Sequence, residues 1–123
     1  MRILIDTHVF VWAVAAPERL SPRQRSELES RANIVYLSSV SVAEIMIKAS
    51  LGKLRFDHDA IACAGRLGFE LLDFSAADAV LLKDLPFHHR DPFDRMLVVQ
   101  SMERNVRLMS ADSRFADYGC RLL

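Results

Sequence analysis

The sequence is short of cysteine, lysine, net charge and long apolar runs, and each shortage removes a class of protein. Its two cysteines, Cys63 and Cys120, stand far apart in no Cys-x-x-Cys arrangement. They read as reduced, buried small hydrophobes of a cytoplasmic protein. Lys+Arg and Asp+Glu number 16 each, so no overall basic field announces a polyanionic partner, and any such partner must be held locally. Of the 16 basic residues 13 are Arg, the side chain better suited to bidentate phosphate contact, although most are expected simply to decorate solvated helix faces. The apolar run Val9 to Ala16 is preceded by Asp6 and His8, not by the basic, acid-free segment of a secretory signal. It also falls far short of the roughly 18 residues of a membrane span.

What remains is a chain of 123 residues without repeats, low-complexity stretches or linkers, which predicts a single domain over 1–123. Hydrophobic residues make up 51% and the mean hydropathy is +0.12. That apolar surplus suits a buried subunit interface and the generous core of a monomer equally well.

Short apolar runs alternate with longer helical patterns. Arg2 to Ile5 predicts a first strand and Thr7 to about Ala16 a helix stopped by Pro17. Ser21-Pro22-Arg23-Gln24 supplies an N-cap serine, a proline at the first helical position and a glutamine at the third, opening a helix to about Ala32. Ile34 to Leu37 reads as a strand, and a helix from near Ser41 runs to about Ser50, broken by Leu51-Gly52-Lys53. Asp57 is expected to cap a helix ending at Gly68, ahead of a strand from Phe69 to Asp73. Ser75 caps a short helix to about Leu82, residues 84–90 form a loop, and Asp91-Pro92 opens a helix to about Asn105. Val106 to Met109 is a strand, 112–118 a turn or short helix, and Cys120 to Leu122 a last strand. Strand and helix alternate throughout, which predicts an α/β three-layer α/β/α sandwich with a mainly parallel sheet.

In such a sheet ligands bind beyond the carboxyl ends of the strands, and four acids fall there. Asp6 follows the first strand, Glu44 lies in the first turn of the helix from Ser41, Asp94 in the first turn of the helix from Asp91, and Asp112 follows the strand ending at Met109. Two carboxylates about 4 Å apart repel by about 4 kcal/mol at an effective dielectric near 20, so the group must share protons or bind a cation. The pattern offers no compensating lysine among them. Oxygen donors suit Mg²⁺ or Mn²⁺ rather than zinc, and a carboxylate-held Mg²⁺ commonly serves phosphate chemistry. Structural alternatives stay open for three of the four. Glu44 stands three residues after Ser41 and Asp94 three after Asp91, so either could be a helix-capping acid, and Asp112 could initiate a turn. Asp6 is harder to explain structurally, because an acid between an apolar strand and an apolar helix is costly to bury.

Ile-Leu-Ile-Asp-Thr-His at 3–8, Ser-Val-Ala-Glu-Ile at 41–45, His-Arg-Asp-Pro-Phe-Asp-Arg at 89–95 and Ser-Ala-Asp at 110–112 resemble the PIN-domain nucleases. More narrowly they resemble the VapC toxins of bacterial toxin–antitoxin pairs. The resemblance covers the whole chain, and Asp-Pro-Phe-Asp-Arg is its most specific piece. It implies an Mg²⁺- or Mn²⁺-dependent endoribonuclease, a homodimer held inactive by a VapB-like antitoxin, with Asp6, Glu44, Asp94 and Asp112 as metal ligands. Asp6, Glu44 and Asp94 would carry catalysis. Asp91 is then the helix cap that positions Asp94, with Thr7 and His8 supporting Asp6. Ala43 departs from the aromatic that related toxins often carry before the glutamate.

Outside the acids, His88 and His89 are candidates to stack on or bond to RNA bases, or else belong to a polar loop. Arg95 and Arg114 are candidates for phosphate contact, or for pairing with neighbouring acids. Trp12 is expected in the core or at the dimer interface. Two other signalling or enzymatic classes fit less well. A phosphorylatable receiver domain wants paired acids after the first strand and a late lysine, yet no Lys follows Lys83. A haloacid-type phosphatase wants Asp-x-Asp where Asp6-Thr7-His8 stands. A PIN domain acting only as an RNA- or protein-binding module is the third alternative.

Overall fold

The computed structural model describes residues 1–118 and 121–123. Its sheet has four strands, β1 (Arg2–Ile5), β2 (Ile34–Ser38), β3 (Glu70–Leu72) and β4 (Arg107–Met109). They lie in the order β3-β2-β1-β4, with every pairing parallel. Parallel strands need crossovers, and these carry α1 (Thr7–Ala15), α2 (Pro22–Glu29), α3 (Ser39–Ser50), α4 (Ala60–Arg66), α5 (Ala76–Val80) and α6 (Pro92–Arg104).

Alternation along the strands divides the core into two layers. Ile3, Ile5, Val35, Leu37 and Met109 face a cluster with Val9 and Phe10 of α1, Ile45 of α3, and Ala60, Cys63 and Ala64 of α4. Leu4 and Leu108 face the other way, onto Leu97 and Val98 of α6, Phe115 and Tyr118. Helices therefore cover both faces, as a buried parallel sheet requires, and the three-layer α/β/α expectation holds. Cys63 is a free, buried thiol; Cys120 lies outside the described residues. Trp12 is half-buried against the first cluster with the Arg19 guanidinium 5.1 Å from its ring centroid.

Local chemistry explains most element ends. Ser21 and Gln24 form a full capping box at α2, and Asn105 stops α6 in the left-handed conformation, φ 52°. Several boundaries differ from expectation. The α4 cap is Asp59, whose side chain accepts from the Ala62 N–H, and not Asp57, which pairs with Arg55 on the surface. The stretch 30–33 does not continue α2, since Ser30 is its C-cap. The expected last strand reduces, among the described residues, to one parallel bridge between Leu108 and Leu122.

The strand order fixes where a site can form. From β1 the chain crosses to β2 on one side, while β4 is laid against β1 on the other. The carboxyl ends of β1 and β4 thus flank the switch in winding direction at which open α/β sheets bind ligands.

Candidate metal centre

Asp6 leaves β1 at that switch point and becomes the N-cap of α1. One carboxylate oxygen accepts from the Val9 N–H at 2.8 Å and the other from Ser110 Oγ, just past β4, at 2.5 Å. Ser110 Oγ also accepts from the Asp112 N–H at 2.9 Å, so one hydroxyl ties the first and fourth acids together. Burial dominates the Asp6 carboxyl and pushes its pKa up, against the opposing pull of those hydrogen bonds.

Glu44 lies deeper in its helix than its spacing from Ser41 suggests. The cap of α3 is Ser38, whose Oγ accepts from the Val40 N–H, so Glu44 sits in the second turn and is 2% exposed. Ser41 is inside the helix, its hydroxyl 3.0 Å from that of Thr7. The capping-box explanation of Glu44 therefore fails. Its Oε1 accepts from Thr7 Oγ1 at 2.7 Å and its Oε2 pairs with Lys48 Nζ at 2.5 Å. The expectation of no compensating lysine is corrected here. Lys48 stands one turn beyond Glu44, and an i,i+4 acid–lysine pair on the buried side of a helix was the signal that sequence reasoning missed.

Asp91 caps α6, one oxygen accepting from the Phe93 and Asp94 N–H groups at 2.8 and 3.1 Å. This fixes the first turn from which Asp94 projects. The Asp94 carboxyl is pushed up to about 6, first by burial and then by the negative charge of Asp91, with Glu44 and Asp6 adding to it and His89 partly offsetting it. Asp112 moves the opposite way, to about 2, because the Arg114 guanidinium is forked onto its carboxylate.

Among the described residues one group brings three potential metal-binding atoms within 4.8 Å of one another: His89, Asp94 and Asp112. Asp6 and Glu44 are outside that group but close enough to raise Asp94 electrostatically. His89 is 4% exposed, its Nε2 2.8 Å from Asp94 Oδ2 and 3.4 Å from Asp112 Oδ2. The sequence left it between an RNA contact and a place in a polar loop, and its burial leaves its ring without a face open to a base.

The two arginines considered for phosphate contact are engaged with other groups. Arg95 is 8% exposed; its guanidinium donates to the carbonyls of Leu85 and Pro86 and to Tyr118 Oη, and lies 4.2 Å from the Phe87 ring centroid. It is the pin of the loop before α6. The charge of Arg114 is committed to Asp112. His8 is exposed and packs near Trp12, acting on Asp6 only through charge. His88 lies edge-on to Tyr118.

The PIN domain family model matches residues 3–119. The chain belongs to the PIN domain family. No curated protein matches it. Solved structures similar to this PIN domain include VapBC2 from Rickettsia felis, bound to a DNA fragment from their promoter, with TM-score 0.73, 18% identity, and 100% of this chain and 97% of that one covered. DNA-bound VapBC from Salmonella typhimurium gives 0.70 at 17% identity, covering 100% and 97%, and FitAcB from Neisseria gonorrhoeae 0.67 at 18%, covering 98% and 96%. At these identities the likeness is one of fold.

Proposed function

We propose that this PIN domain is a divalent-metal-dependent endoribonuclease, the toxin of a toxin–antitoxin pair. The observation that carries the reading is the state of Asp94: a half-buried carboxyl beside Asp91, Glu44 and Asp6, held up at about 6. Such a group is stabilised by a cation more than by a proton at neutral pH. The donor set is all carboxylate apart from His89, and each carboxylate has lone pairs beyond those already engaged, so the residues fit Mg²⁺ or Mn²⁺. Asp6, Glu44 and Asp94 would hold the ion, with Asp112 completing the site. When bound, it supplies charge neutralisation at the phosphodiester and lowers the pKa of water.

The protein's own residues do the rest. Thr7 and Lys48 fix both oxygens of Glu44, Ser110 holds Asp6 against the Asp112 turn, and the Asp91 cap sets Asp94. With Arg95 and Arg114 occupied elsewhere, Lys48, one-third exposed and beside Glu44, is the cation best placed to meet a phosphate. Strand scission by water leaves a 5′-phosphate and a 3′-hydroxyl, since the ribose 2′-hydroxyl takes no part.

The VapBC neighbours and the PIN fold support a VapB-like antitoxin as partner, and the family resemblance implies a homodimer acting in the cytoplasm. No helix among the described residues is long and apolar enough to cross a membrane. Family membership displaces the receiver and phosphatase alternatives. The test is incubation of purified protein with single-stranded RNA and Mg²⁺ or Mn²⁺. Cleavage that stops in EDTA, is lost in Asp6→Asn and Asp94→Asn, and yields 5′-phosphate ends is expected. Persistence in EDTA or 2′,3′-cyclic phosphate ends refutes the reading. RNA binding without cleavage by wild type favours a binding module.

A further inference from the structure

The turn that starts α3 is rich in hydroxyls, and each reaches a different element. Ser38 Oγ accepts from the Val40 N–H and donates to Gln100 Oε1 of α6 at 2.5 Å. Ser39 Oγ accepts from the Phe74 N–H just past β3. Ser41 Oγ lies 3.0 Å from Thr7 Oγ1 of α1, the group that donates to Glu44. The helix that carries Glu44 is thus tied at its start to α6, to the end of β3 and to α1. Hydrogen bonds fix a direction and a length, whereas an apolar contact of the same size tolerates repacking.

The tie to α6 is the one that the fold does not need. Ser38 and Gln100 are both 0% exposed, and Val40 and Leu97, close to them along the chain, belong to one apolar cluster. The Gln100 amide spends its oxygen on Ser38, while its buried Nε2 finds no acceptor among the described residues. A buried N–H left without a partner is a net loss to stability. A methionine at the same place fills a similar volume without that loss. Stability therefore gives no reason for an amide at 100, and position gives one.

The place of the bond supplies that reason. Gln100 stands six residues after Asp94 on α6, and Ser38, the cap of α3, six residues before Glu44. At about 1.5 Å per residue, each acid is roughly 9 Å along its own helix from the bond. One hydrogen bond joins the two helices that carry two of the proposed ligands.

We propose that Gln100 is a positioning residue of the metal centre: by holding the Ser38 hydroxyl it fixes the start of α3 against α6, and so sets the separation of Glu44 and Asp94. This rests on the metal-dependent reading above. It gives a buried amide a purpose that the acid pattern does not supply.

Gln100→Met, with Gln100→Leu as a second apolar replacement, tests this with Mn²⁺ as the probe. Electron paramagnetic resonance titration of the full chain gives the Mn²⁺ dissociation constant, and melting in EDTA gives the stability of the metal-free fold. Gln100→Met should melt at or above the wild-type temperature and yet bind Mn²⁺ about tenfold more weakly, the lower end of the cost of removing a group that orients ligands. Ser38→Ala cuts the same bond from its other side and should lose Mn²⁺ affinity alike. The double variant should bind little more weakly than either single one, because both remove one interaction. Wild-type Mn²⁺ affinity in a folded Gln100→Met or Gln100→Leu overturns the proposal, and so do additive losses in the double variant. Failure of both replacements to fold, or a clear drop in melting temperature in both, also overturns it, since the amide would then serve the fold itself. Absence of any Mn²⁺ binding to wild type overturns the metal-dependent reading, and this inference with it.

Discussion

Asp94 makes a counterintuitive demand: removing a proposed ligand should stabilise the metal-free protein. Its carboxyl is held near 6, about two units above the ordinary carboxylate range, and each unit corresponds to about 1.4 kcal/mol between the two protonation states. The ionised group thus weighs on the fold by roughly 2–3 kcal/mol. Its place in the first turn of α6 gives back some tenths of that through the helix dipole, which Asn at the same position loses. Asp94→Asn should therefore gain about 1–2 kcal/mol in EDTA at pH 7.5, or roughly 4–8 °C in melting temperature for a chain of this size.

The pH dependence has a definite sign. For an acid whose folded pKa is raised, the native state binds more protons than the unfolded one between about pH 4 and pH 6. Stability accordingly falls as pH rises through that window. The penalty is full above about pH 6 and absent below about pH 4. The advantage of Asp94→Asn should be largest at pH 7–8 and vanish towards pH 4. Saturating Mn²⁺ should reverse the order at pH 7.5, since wild type gains RT ln(1 + [L]/Kd) and the variant far less. Calorimetry in EDTA showing Asp94→Asn equal to or less stable than wild type at pH 7.5 refutes the argument that crowding of charge, relieved by a cation, defines this site.

Three further outcomes follow from the contacts. Lys48→Ala leaves the buried Glu44 carboxylate without its cation; it should cost about 1–2 kcal/mol in EDTA and show a larger Mn²⁺-induced rise in melting temperature than wild type, whereas an unchanged melt would remove Lys48 from the site. Arg95→Ala should cost about 2–3 kcal/mol by unpinning 85–89 and leave the salt dependence of RNA binding unchanged; a flatter salt slope at unchanged stability would restore the phosphate role. Asp78 is fully buried and forked by Arg104 across α5 and α6, with its pKa lowered chiefly by that pairing. Asp78→Asn should cost about 3–5 kcal/mol. Because the folded pKa is depressed, the contribution is present above about pH 4 and lost as pH falls below it, and an acid-side urea titration parallel for variant and wild type would contradict this.

The legible parts of the sequence were those where one rule governs locally. Short apolar runs gave the β1, β2 and β4 strands, and Ser21-Pro22-Arg23-Gln24 and Asp91-Pro92 gave helix starts because caps act within one turn. Asp59 was missed in favour of Asp57, since both acids precede an apolar stretch and only packing of Ala60 and Cys63 into the core chooses between them. The α3 start was misplaced because Ser38, Ser39 and Ser41 are all competent caps. At the site, four acids at one sheet edge were visible from topology. The partners that set their charge were not, because these contacts reach through space: Ser110 to Asp6, Thr7 to Glu44, His89 to Asp94. Arg95 looked like a phosphate ligand by adjacency to Asp94. A residue one step along a helix points about 100° away, which here means into the loop.

The same through-space contacts bear on how a chain with no net charge would address the polyanion proposed as its substrate. Asp6, Glu44, Asp91, Asp94 and Asp112 gather five carboxylates at one edge, and the cations bonded among them are Lys48 and Arg114. Counted as ionised, those five carboxylates against the two cations leave the site a surplus of three negative charges. A phosphodiester would be repelled from such an edge. One divalent ion held by these carboxylates would leave the site at −1, and a second would take it to +1. Under the ribonuclease reading proposed above, affinity for RNA would reside in the cations that the carboxylates collect, not in a basic surface. An even Lys+Arg to Asp+Glu balance is what such a design needs, because added surface arginines would compete with the metal for the same acids, as Arg114 already does for Asp112.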